Sequence, residues 1–193
     1  MYVPSIFYKV YEKTLRRQIF AAKRPHHMGL IVDGNRRFAM AQKLATRKAG
    51  HMAGSDNLEG FLRWCLELEI KMVTLYGFST ENYNRSGEEV EELMSIILNK
   101  FRTLKTDPLI ADENVNIKVI GRRDQLSQEM NKEIDSVEAQ TAENDGFQLN
   151  IAIGYGGRAE IVDAVKKIGE RIKIGEIDID DIDRESYISL IFD

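Results

Sequence analysis

Residues 28–37 have the sequence Met-Gly-Leu-Ile-Val-Asp-Gly-Asn-Arg-Arg, and this stretch sets the fold class. Its apolar half predicts a buried β-strand, and the aspartate and glycine that follow predict a turn. A helix is predicted directly after the turn, from about Arg36 to Leu44. A strand that passes through a short polar turn into a helix begins the unit from which parallel sheets are built.

The same alternation of strands and helices continues along the rest of the chain. Further strands are predicted at residues 71–78, 115–119 and 147–153, and further helices at residues 50–69, 90–104, 127–143 and 158–172, with a last short helix from about Asp183. This order predicts an α/β domain with a central, mainly parallel sheet flanked by helices. Ser86 and Glu89 form a capping-box pattern, which predicts where helix 90–104 begins.

The apolar faces of two predicted helices need separate interpretations. Cys65 lies on the apolar face of helix 50–69, so we expect a core residue and not a reactive thiol. Helix 90–104 has an unusually broad apolar face. That face predicts either ordinary core or one wall of a tunnel for a long apolar ligand, and periodicity does not separate the two.

Composition and charge narrow the classes of protein. The chain has 193 residues, of which 43% are hydrophobic and 30% are charged, which indicates one soluble globular domain. A single cysteine and the lack of a long apolar run predict a cytoplasmic protein without a membrane span. Residues 1–51 hold eleven Lys or Arg and two acids, a net charge of +9, whereas the remainder holds 16 and 29, a net charge of −13. The acidic remainder argues against nucleic acid, and the basic segment predicts an anionic partner.

The first residues of the chain predict a separate amphipathic helix. Residues 5–22 place apolar side chains at helical spacing with four basic residues between them. Such a helix lies either on a membrane surface, which would make the protein peripheral, or against its own domain, and both interpretations stay open. We therefore divide the chain into a basic amphipathic N-terminal helix at residues 1–25 and a single α/β domain at residues 26–193.

Polar, glycine-bearing sequence follows three of the predicted strands. These segments are residues 33–37, 78–85 and 154–158. In a parallel sheet all carboxyl ends of the strands meet at one edge, and ligands bind beyond that edge. The three segments therefore predict one shared binding site.

The first of these segments has the composition of a site for magnesium and diphosphate. Gly34 lets the backbone turn, and the start of the next helix offers free N–H groups to an anion. Arg36 and Arg37 add forked donors, and Asp33 would repel a phosphate unless a cation such as Mg²⁺ lies between them. Residues 47–51, Arg-Lys-Ala-Gly-His, are placed to close over the same anion. The alternative is a plain turn capped by the aspartate.

The second segment mixes small polar groups with aromatic rings. It contains Ser79, Thr80, Glu81, Asn82, Tyr83 and Arg85 directly after Phe78. Such a mixture suits a substrate with a charged head and an apolar tail. The alternative is a polar loop that ends at the cap of the next helix.

These motifs, in this order, resemble the cis-prenyltransferases, and especially the archaeal branch of that family. The matching segments are residues 27–39, 47–51, 75–85, 120–122 and 149–158, so that the resemblance covers nearly the whole chain from His26 onward. It implies an enzyme that condenses isopentenyl diphosphate with an allylic primer, farnesyl or geranylgeranyl diphosphate, to make a long polyprenyl diphosphate. It also implies Mg²⁺ as cofactor and a homodimer.

The resemblance implies a role for individual residues. Asp33 would bind Mg²⁺ and assist departure of the allylic diphosphate. Asn82 matches a position assigned as proton acceptor, although a neutral amide is a poor base and the released diphosphate is a better one. Gly77 and Phe147 match positions near the tunnel that influence product length. The other substrate-binding positions implied by the family are Gly34, Asn35, Arg36, Arg37, Phe38, Arg47, His51, Ser79, Thr80, Glu81, Tyr83 and Arg85.

One departure from the family pattern concerns the isopentenyl diphosphate site. The family continues into a motif of the type Arg-x-x-Gly-Glu-x-Arg-x-Ser, which lies beyond Asp193. The chain therefore resembles a C-terminally truncated member, and we expect it to hold the allylic half of the site and to lack turnover without the rest. The alternatives are a non-catalytic partner subunit and, outside the family, a phosphate-binding protein or nucleotide hydrolase. The alternative outside the family is disfavoured because the sequence has no Gly-x-x-x-x-Gly-Lys-[Ser/Thr] loop.

Overall fold

The computed structural model describes residues 5–43 and 47–183. Its centre is a parallel sheet of four strands in the order β1-β2-β4-β3. The strands are β1 (His27–Ile31), β2 (Met72–Ser79), β3 (Val115–Ile120) and β4 (Phe147–Tyr155). All three strand pairs are parallel, which confirms the predicted α/β class.

Helices precede, connect and follow the strands. They are α1 (Ser5–Ala21), α2 (Asn35–Ala41), α3 (Arg47–Glu67), α4 (Gly87–Leu104), α5 (Pro108–Asp112), α6 (Gln128–Thr141) and α7 (Gly157–Lys173). Within the described residues, three short 3₁₀ helices lie at Thr80–Asn84, Arg123–Gln125 and Ile179–Asp181. The sequence did not predict α5 or the 3₁₀ helices, because each is too short to show a hydrophobic period. The helix predicted from about Asp183 lies outside the described residues.

Strand β1 is more exposed than its apolar sequence predicts. Its residues alternate between exposed and half-buried, and the Ile31 side chain is 71% exposed. The cause is position, because β1 lies at the end of the described strand order and pairs with β2 alone. Met28 and Leu30 still pack against the core, so that one face of the strand is covered. The prediction of a fully buried strand is therefore wrong.

The core lies between the sheet and the helices. Fully buried side chains come from the strands and from the facing helices, among them Phe78, Ile117, Phe101 and Ile134. Cys65 belongs to this cluster, and burial raises the pKa of its thiol. A thiol that is buried and protonated is unreactive, which agrees with its predicted place in the core.

The parallel arrangement places three polar segments at one edge of the sheet. Residue 33 follows β1, the 3₁₀ helix Thr80–Asn84 follows β2, and Gly156 follows β4. Helices α3 and α4 both begin at this edge, since α3 leads into β2 and α4 leads away from it. The edge is therefore the place where a ligand meets side chains from several elements at once.

Candidate active site

A cavity of about 510 Å³ opens at the carboxyl edge of the sheet and continues into the protein. Its size is typical of a small-molecule site. The polar residues at its mouth are Asp33, Gly34, Asn35, Arg37, Asn82 and Arg85. The rest of the cavity is largely apolar and lies between α3, α4 and the sheet. It thus combines a charged mouth with an apolar interior.

Asp33 and Arg37 form an exposed pair at the mouth. Oδ2 of Asp33 accepts a hydrogen bond from Nη2 of Arg37 at 3.0 Å, and Oδ1 accepts one from the backbone N–H of Gly34 at 2.5 Å. Gly34 has a φ of 95°, a backbone conformation that glycine adopts at little cost. The two charged side chains are 74% and 76% exposed, so their attraction is screened by water. Each is therefore available to a stronger partner, Asp33 to a cation and Arg37 to a phosphate.

Two glycines on α3 bring that helix against α2. A Cβ atom at Gly50 would lie 2.6 Å from the backbone oxygen of Asn35. A Cβ atom at Gly54 would lie 2.3 Å from the side-chain oxygen of Asn35. Larger residues would clash there, so the four-residue spacing of the glycines holds Asn35 at the mouth. The sequence reasoning missed Gly54, although that spacing was a usable signal. The side chains of Arg36, Arg47 and His51 lie outside the described part of the structure.

The 3₁₀ helix after β2 is capped by two side chains that bond each other's backbone. Oγ of Ser79 accepts from the N–H of Asn82 at 3.2 Å, and Oδ1 of Asn82 accepts from the N–H of Ser79 at 2.9 Å. A backbone N–H requires an acceptor, so the atom that faces Ser79 is the amide oxygen of Asn82. The part of the Asn82 side chain left for a ligand is its NH₂ group, which is a donor.

Arg85 is held at the mouth by a buried carboxylate. Its Nη1 lies 2.9 Å from Oε1 of Glu89, whose side chain is 4% exposed. The predicted cap of α4 is present, because Oγ of Ser86 accepts from the Glu89 N–H at 3.4 Å. Glu89 therefore begins the helix through its backbone and orients a cavity-lining arginine through its carboxylate. Sequence reasoning had placed Glu89 at the third helical position of a capping box and had not predicted its ion pair with Arg85.

Other predicted site residues lie beside the cavity instead of lining it. Phe38 is exposed. The Tyr83 ring packs edge-on against the Phe78 ring, with 4.8 Å between the ring centroids. The Tyr83 hydroxyl is buried with no hydrogen-bond partner in the described part of the chain, and burial raises its pKa. The predicted residues that do not line the cavity are Phe38, Ser79, Thr80, Glu81 and Tyr83.

The sequence left open whether the broad apolar face of α4 is core or the wall of a tunnel, and the lining of the cavity decides this. This helix contributes Leu93, Ile96, Ile97, Phe101 and Leu104 to the cavity wall. Phe101 is also fully buried in the core. The broad apolar face of α4 is therefore both core and cavity wall. Gly77 and Phe147, which the resemblance placed near the tunnel, line the cavity as well.

The mouth fits a magnesium ion that is shared with a substrate. Among residues 5–43 and 47–183, no group of three His, Cys, Asp or Glu is close enough to form a metal site of its own. Mg²⁺ commonly binds through one or two carboxylates and completes its shell with substrate phosphates and water. The exposed carboxylate of Asp33 next to Arg37 would supply that single protein ligand.

The fold and the site together define an α/β protein whose cavity has the lining that an amphiphilic ligand with an anionic head requires. The chain belongs to the undecaprenyl diphosphate synthase family of cis-prenyltransferases. A family model described as "Putative undecaprenyl diphosphate synthase" matches residues 31–191. This confirms the predicted family and the class of transferase.

Similar curated proteins come from archaea. The chain is 41% identical over 185 residues to a protein of Thermoplasma acidophilum and 43% identical over 188 residues to one of Pyrococcus abyssi. The matches cover 96% and 95% of this chain and 71% of each relative. Both relatives are named tritrans,polycis-undecaprenyl-diphosphate synthase (geranylgeranyl-diphosphate specific). The similarity confirms the predicted archaeal branch.

Solved structures show the same fold. Lavandulyl diphosphate synthase from Lavandula x intermedia, in complex with dimethylallyl diphosphate, matches with a TM-score of 0.80 and 30% identity over 86% of this chain and 70% of that one. A probable undecaprenyl diphosphate synthase from Campylobacter jejuni matches with a TM-score of 0.64 and 24% identity over 88% and 70%, and it supports the fold alone. As for membranes, the helices among the described residues are too short or too polar to cross one.

Proposed function

We propose that this chain binds geranylgeranyl diphosphate as its allylic primer and lengthens it with isopentenyl diphosphate to a long polyprenyl diphosphate. The observation that carries the proposal is the cavity, which joins a mouth of one acid and two arginines to an apolar interior. The names of the archaeal relatives support the choice of primer. Nothing in the comparisons favours a non-catalytic partner subunit, and the Asp-Gly-Asn segment at residues 33–35 is retained.

In this proposal the mouth binds the diphosphate and stabilises it as it leaves. Mg²⁺, when bound at Asp33, would neutralise part of the negative charge that grows on the leaving group. Arg37 gives up its exposed pairing with Asp33 and donates to phosphate oxygens. Arg85, kept in place by Glu89, adds a second guanidinium group at the mouth. Positioned cations of this kind lower the barrier to C–O cleavage without a covalent intermediate.

The apolar interior binds the prenyl tail. Leu58 and Leu62 on α3, Ile97 on α4 and Leu75 and Leu149 on the sheet face the cavity together. Each methylene group that moves from water into such surroundings contributes about 0.8 kcal/mol. A geranylgeranyl tail therefore adds a large apolar term to the charge–charge attraction at the mouth.

Binding of the primer tests the proposal without requiring turnover. We expect calorimetry to show Mg²⁺-dependent binding of geranylgeranyl diphosphate by the wild-type chain. Asp33→Asn removes the proposed metal ligand and should weaken that binding at least about tenfold, or by about 1.4 kcal/mol. In a chain that turns over isopentenyl diphosphate, Asp33→Ala should nearly abolish incorporation.

The exposed Glu143 supplies a control of the same charge change. Glu143→Gln should bind the primer as the wild type does. Equal Mg²⁺-dependent affinity in the Asp33→Asn variant would refute the proposed role of the carboxylate. Turnover that appears only when the Arg-x-x-Gly-Glu segment is added would support the expectation about that motif.

We further propose that α1 is a peripheral membrane contact. Phe7, Val10, Tyr11 and Ile19 are exposed, although they form the apolar side of the helix. An ion pair joins α1 to the end of α3, with 2.5 Å between Nη2 of Arg16 and Oε2 of Glu67. An apolar face that its own domain leaves uncovered favours the membrane over packing on the domain. The division at residues 25 and 26, the cytoplasmic location and the homodimer rest on sequence and family resemblance and stay proposals.

A further inference from the structure

The wall of the cavity changes from apolar to charged where α3 and α4 face each other. Three charged residues, Glu59 and Arg63 on α3 and Lys100 on α4, line the cavity among apolar neighbours. Oε1 of Glu59 accepts a hydrogen bond from Nζ of Lys100 at 2.6 Å, and the pair joins the two helices. The two side chains are 56% and 43% exposed. Residues that border the cavity therefore also reach the solvent, and we call this boundary of Glu59, Arg63 and Lys100 the seam.

The bottom of the cavity is built differently from the seam. It is formed by Phe101, Ile110, Val115 and Phe147, which are among the most buried residues of the chain. These side chains belong to the continuous core around the sheet. We call these four residues the floor.

The position of the seam relative to the mouth follows from the helices. Both α3 and α4 begin at the carboxyl edge of the sheet, and Lys100 lies thirteen residues after the start of α4 at Gly87. At 1.5 Å per residue the seam lies about 20 Å along the helix from that edge. It therefore borders the deeper part of the cavity, where the end of a long tail arrives.

A tail that outgrows the cavity has to displace either the floor or the seam. Moving the floor would separate close-packed core side chains, which is among the most costly changes a protein can undergo. Opening the seam separates one ion pair that is half exposed, and such pairs contribute little to stability. The seam opens at lower cost by a wide margin.

We propose that the seam is the lateral exit through which a growing polyprenyl chain leaves the cavity, and that the Glu59–Lys100 pair is its latch. This inference rests on the proposed function, because it concerns the path of the product tail in the same cavity. In this inference the mouth residues bind the primer, and the seam residues determine whether a longer tail can extend out of the cavity.

A covalent bridge across the seam tests the exit directly. In the double variant Glu59→Cys/Lys100→Cys, a short bis-maleimide would join the helices, while buried Cys65 stays unreactive. We expect the bridged protein to bind geranylgeranyl diphosphate within about twofold of the unbridged protein. It should bind hexaprenyl diphosphate, whose tail is longer, at least about tenfold more weakly.

The pair Arg102–Glu129 provides a matched control. It is an exposed ion pair that joins α4 to α6, and neither residue lines the cavity. The bridged double variant Arg102→Cys/Glu129→Cys should bind both diphosphates as its unbridged form does. Equal binding of hexaprenyl diphosphate with the seam bridged and unbridged would overturn the inference. A wild-type chain that binds no prenyl diphosphate would instead refute the proposed function.

A second variant removes the latch without a bridge. Lys100→Gln keeps a polar side chain at the seam and loses the ion pair. We expect hexaprenyl diphosphate to associate several-fold faster with this variant than with the wild type, because its tail must open the seam to enter fully. Geranylgeranyl diphosphate should associate at the wild-type rate, and Arg102→Gln should change neither rate. An unchanged rate for hexaprenyl diphosphate in Lys100→Gln would contradict the latch.

Discussion

At the scale of single residues, one hydrogen bond decides what Asn82 can do. Its amide oxygen accepts from the backbone of Ser79, so the group that it offers a ligand is a hydrogen-bond donor. A proton acceptor at this position would need a free basic atom, and the amide has none. The structure therefore favours Asn82 as a donor to a diphosphate oxygen, with the diphosphate itself as the base.

Substitution of Asn82 separates the two roles. Asn82→Asp keeps an acceptor for Ser79 and replaces the donor with a negative charge, so primer affinity should fall at least about tenfold while stability changes little. Asn82→Ala removes the cap as well and should cost about 1 kcal/mol of unfolding free energy. Calorimetry and urea unfolding measure the two effects. A carboxylate is a better base than an amide, so an Asn82→Asp variant with undiminished turnover would restore the role of proton acceptor.

At the scale of elements, α1 and α4 show that similar patterns have different outcomes. Both helices place apolar residues at helical spacing. In α4 the sheet and neighbouring helices cover most of the apolar face, and the remainder lines the cavity. In α1 most of the apolar face stays exposed, and basic residues flank it. The difference lies in what packs against the helix, which its own sequence does not contain.

The proposed membrane contact of α1 has a charge-dependent test. The double variant Lys9→Glu/Lys13→Glu reverses two charges beside the exposed apolar face. At about 1 kcal/mol per basic residue near an anionic surface, binding to vesicles of equimolar phosphatidylcholine and phosphatidylglycerol should fall at least about tenfold. Co-sedimentation with vesicles measures this.

The same charge change elsewhere on the chain controls that test. Lys166 and Lys173 are exposed residues of α7, and Lys166→Glu/Lys173→Glu should bind vesicles nearly as the wild type does. If both double variants lose binding equally, net charge and not α1 is responsible. Wild-type protein that fails to bind the vesicles would argue for the other interpretation, that α1 meets a protein surface.

At the scale of the whole molecule, the same core both stabilises the sheet and limits the cavity. Phe78 and Phe147 are both buried strand residues, but Phe147 borders the cavity whereas Phe78 does not. Removal of atoms from a side chain beside an existing void breaks fewer contacts than removal from a filled core. The two phenylalanines therefore form a matched pair for separating the effect of a substitution on stability from its effect on the preferred length of a bound tail.

Phe147→Leu and Phe78→Leu should differ in both properties. We expect Phe78→Leu to cost about 1–2 kcal/mol of unfolding free energy and Phe147→Leu to cost less. Phe147→Leu also deepens the floor, so tails longer than geranylgeranyl should bind at least about threefold more tightly, since each buried methylene contributes about 0.8 kcal/mol. Phe78→Leu should leave tail preference unchanged. Urea unfolding measures the stability difference, and competition binding measures the tail preference. Identical tail preference in the two variants would contradict the proposed role of Phe147 in limiting tail length.

The sequence by itself determined the alternation of the strands with the longer helices, the parallel sheet and the polar segments that gather at its carboxyl edge. Asp33, Arg37 and Arg85 were predicted to share a site, and the structure places them around one cavity mouth. These features follow from local signals. Hydrophobic period specifies each element, and a parallel sheet brings the carboxyl ends of its strands together.

Only the tertiary structure decided which surfaces are covered and which atoms face a ligand. In the folded chain β1 and the apolar face of α1 are exposed, and the Asn82 oxygen accepts from the backbone N–H of Ser79. Glu59 lies beside Lys100, which is forty-one residues away in sequence. Periodicity shows that a face is apolar and does not show what packs against it. Contacts between residues distant in the chain arise from the packing of whole elements, and for this reason the cavity, its floor and its seam were visible only in the folded chain.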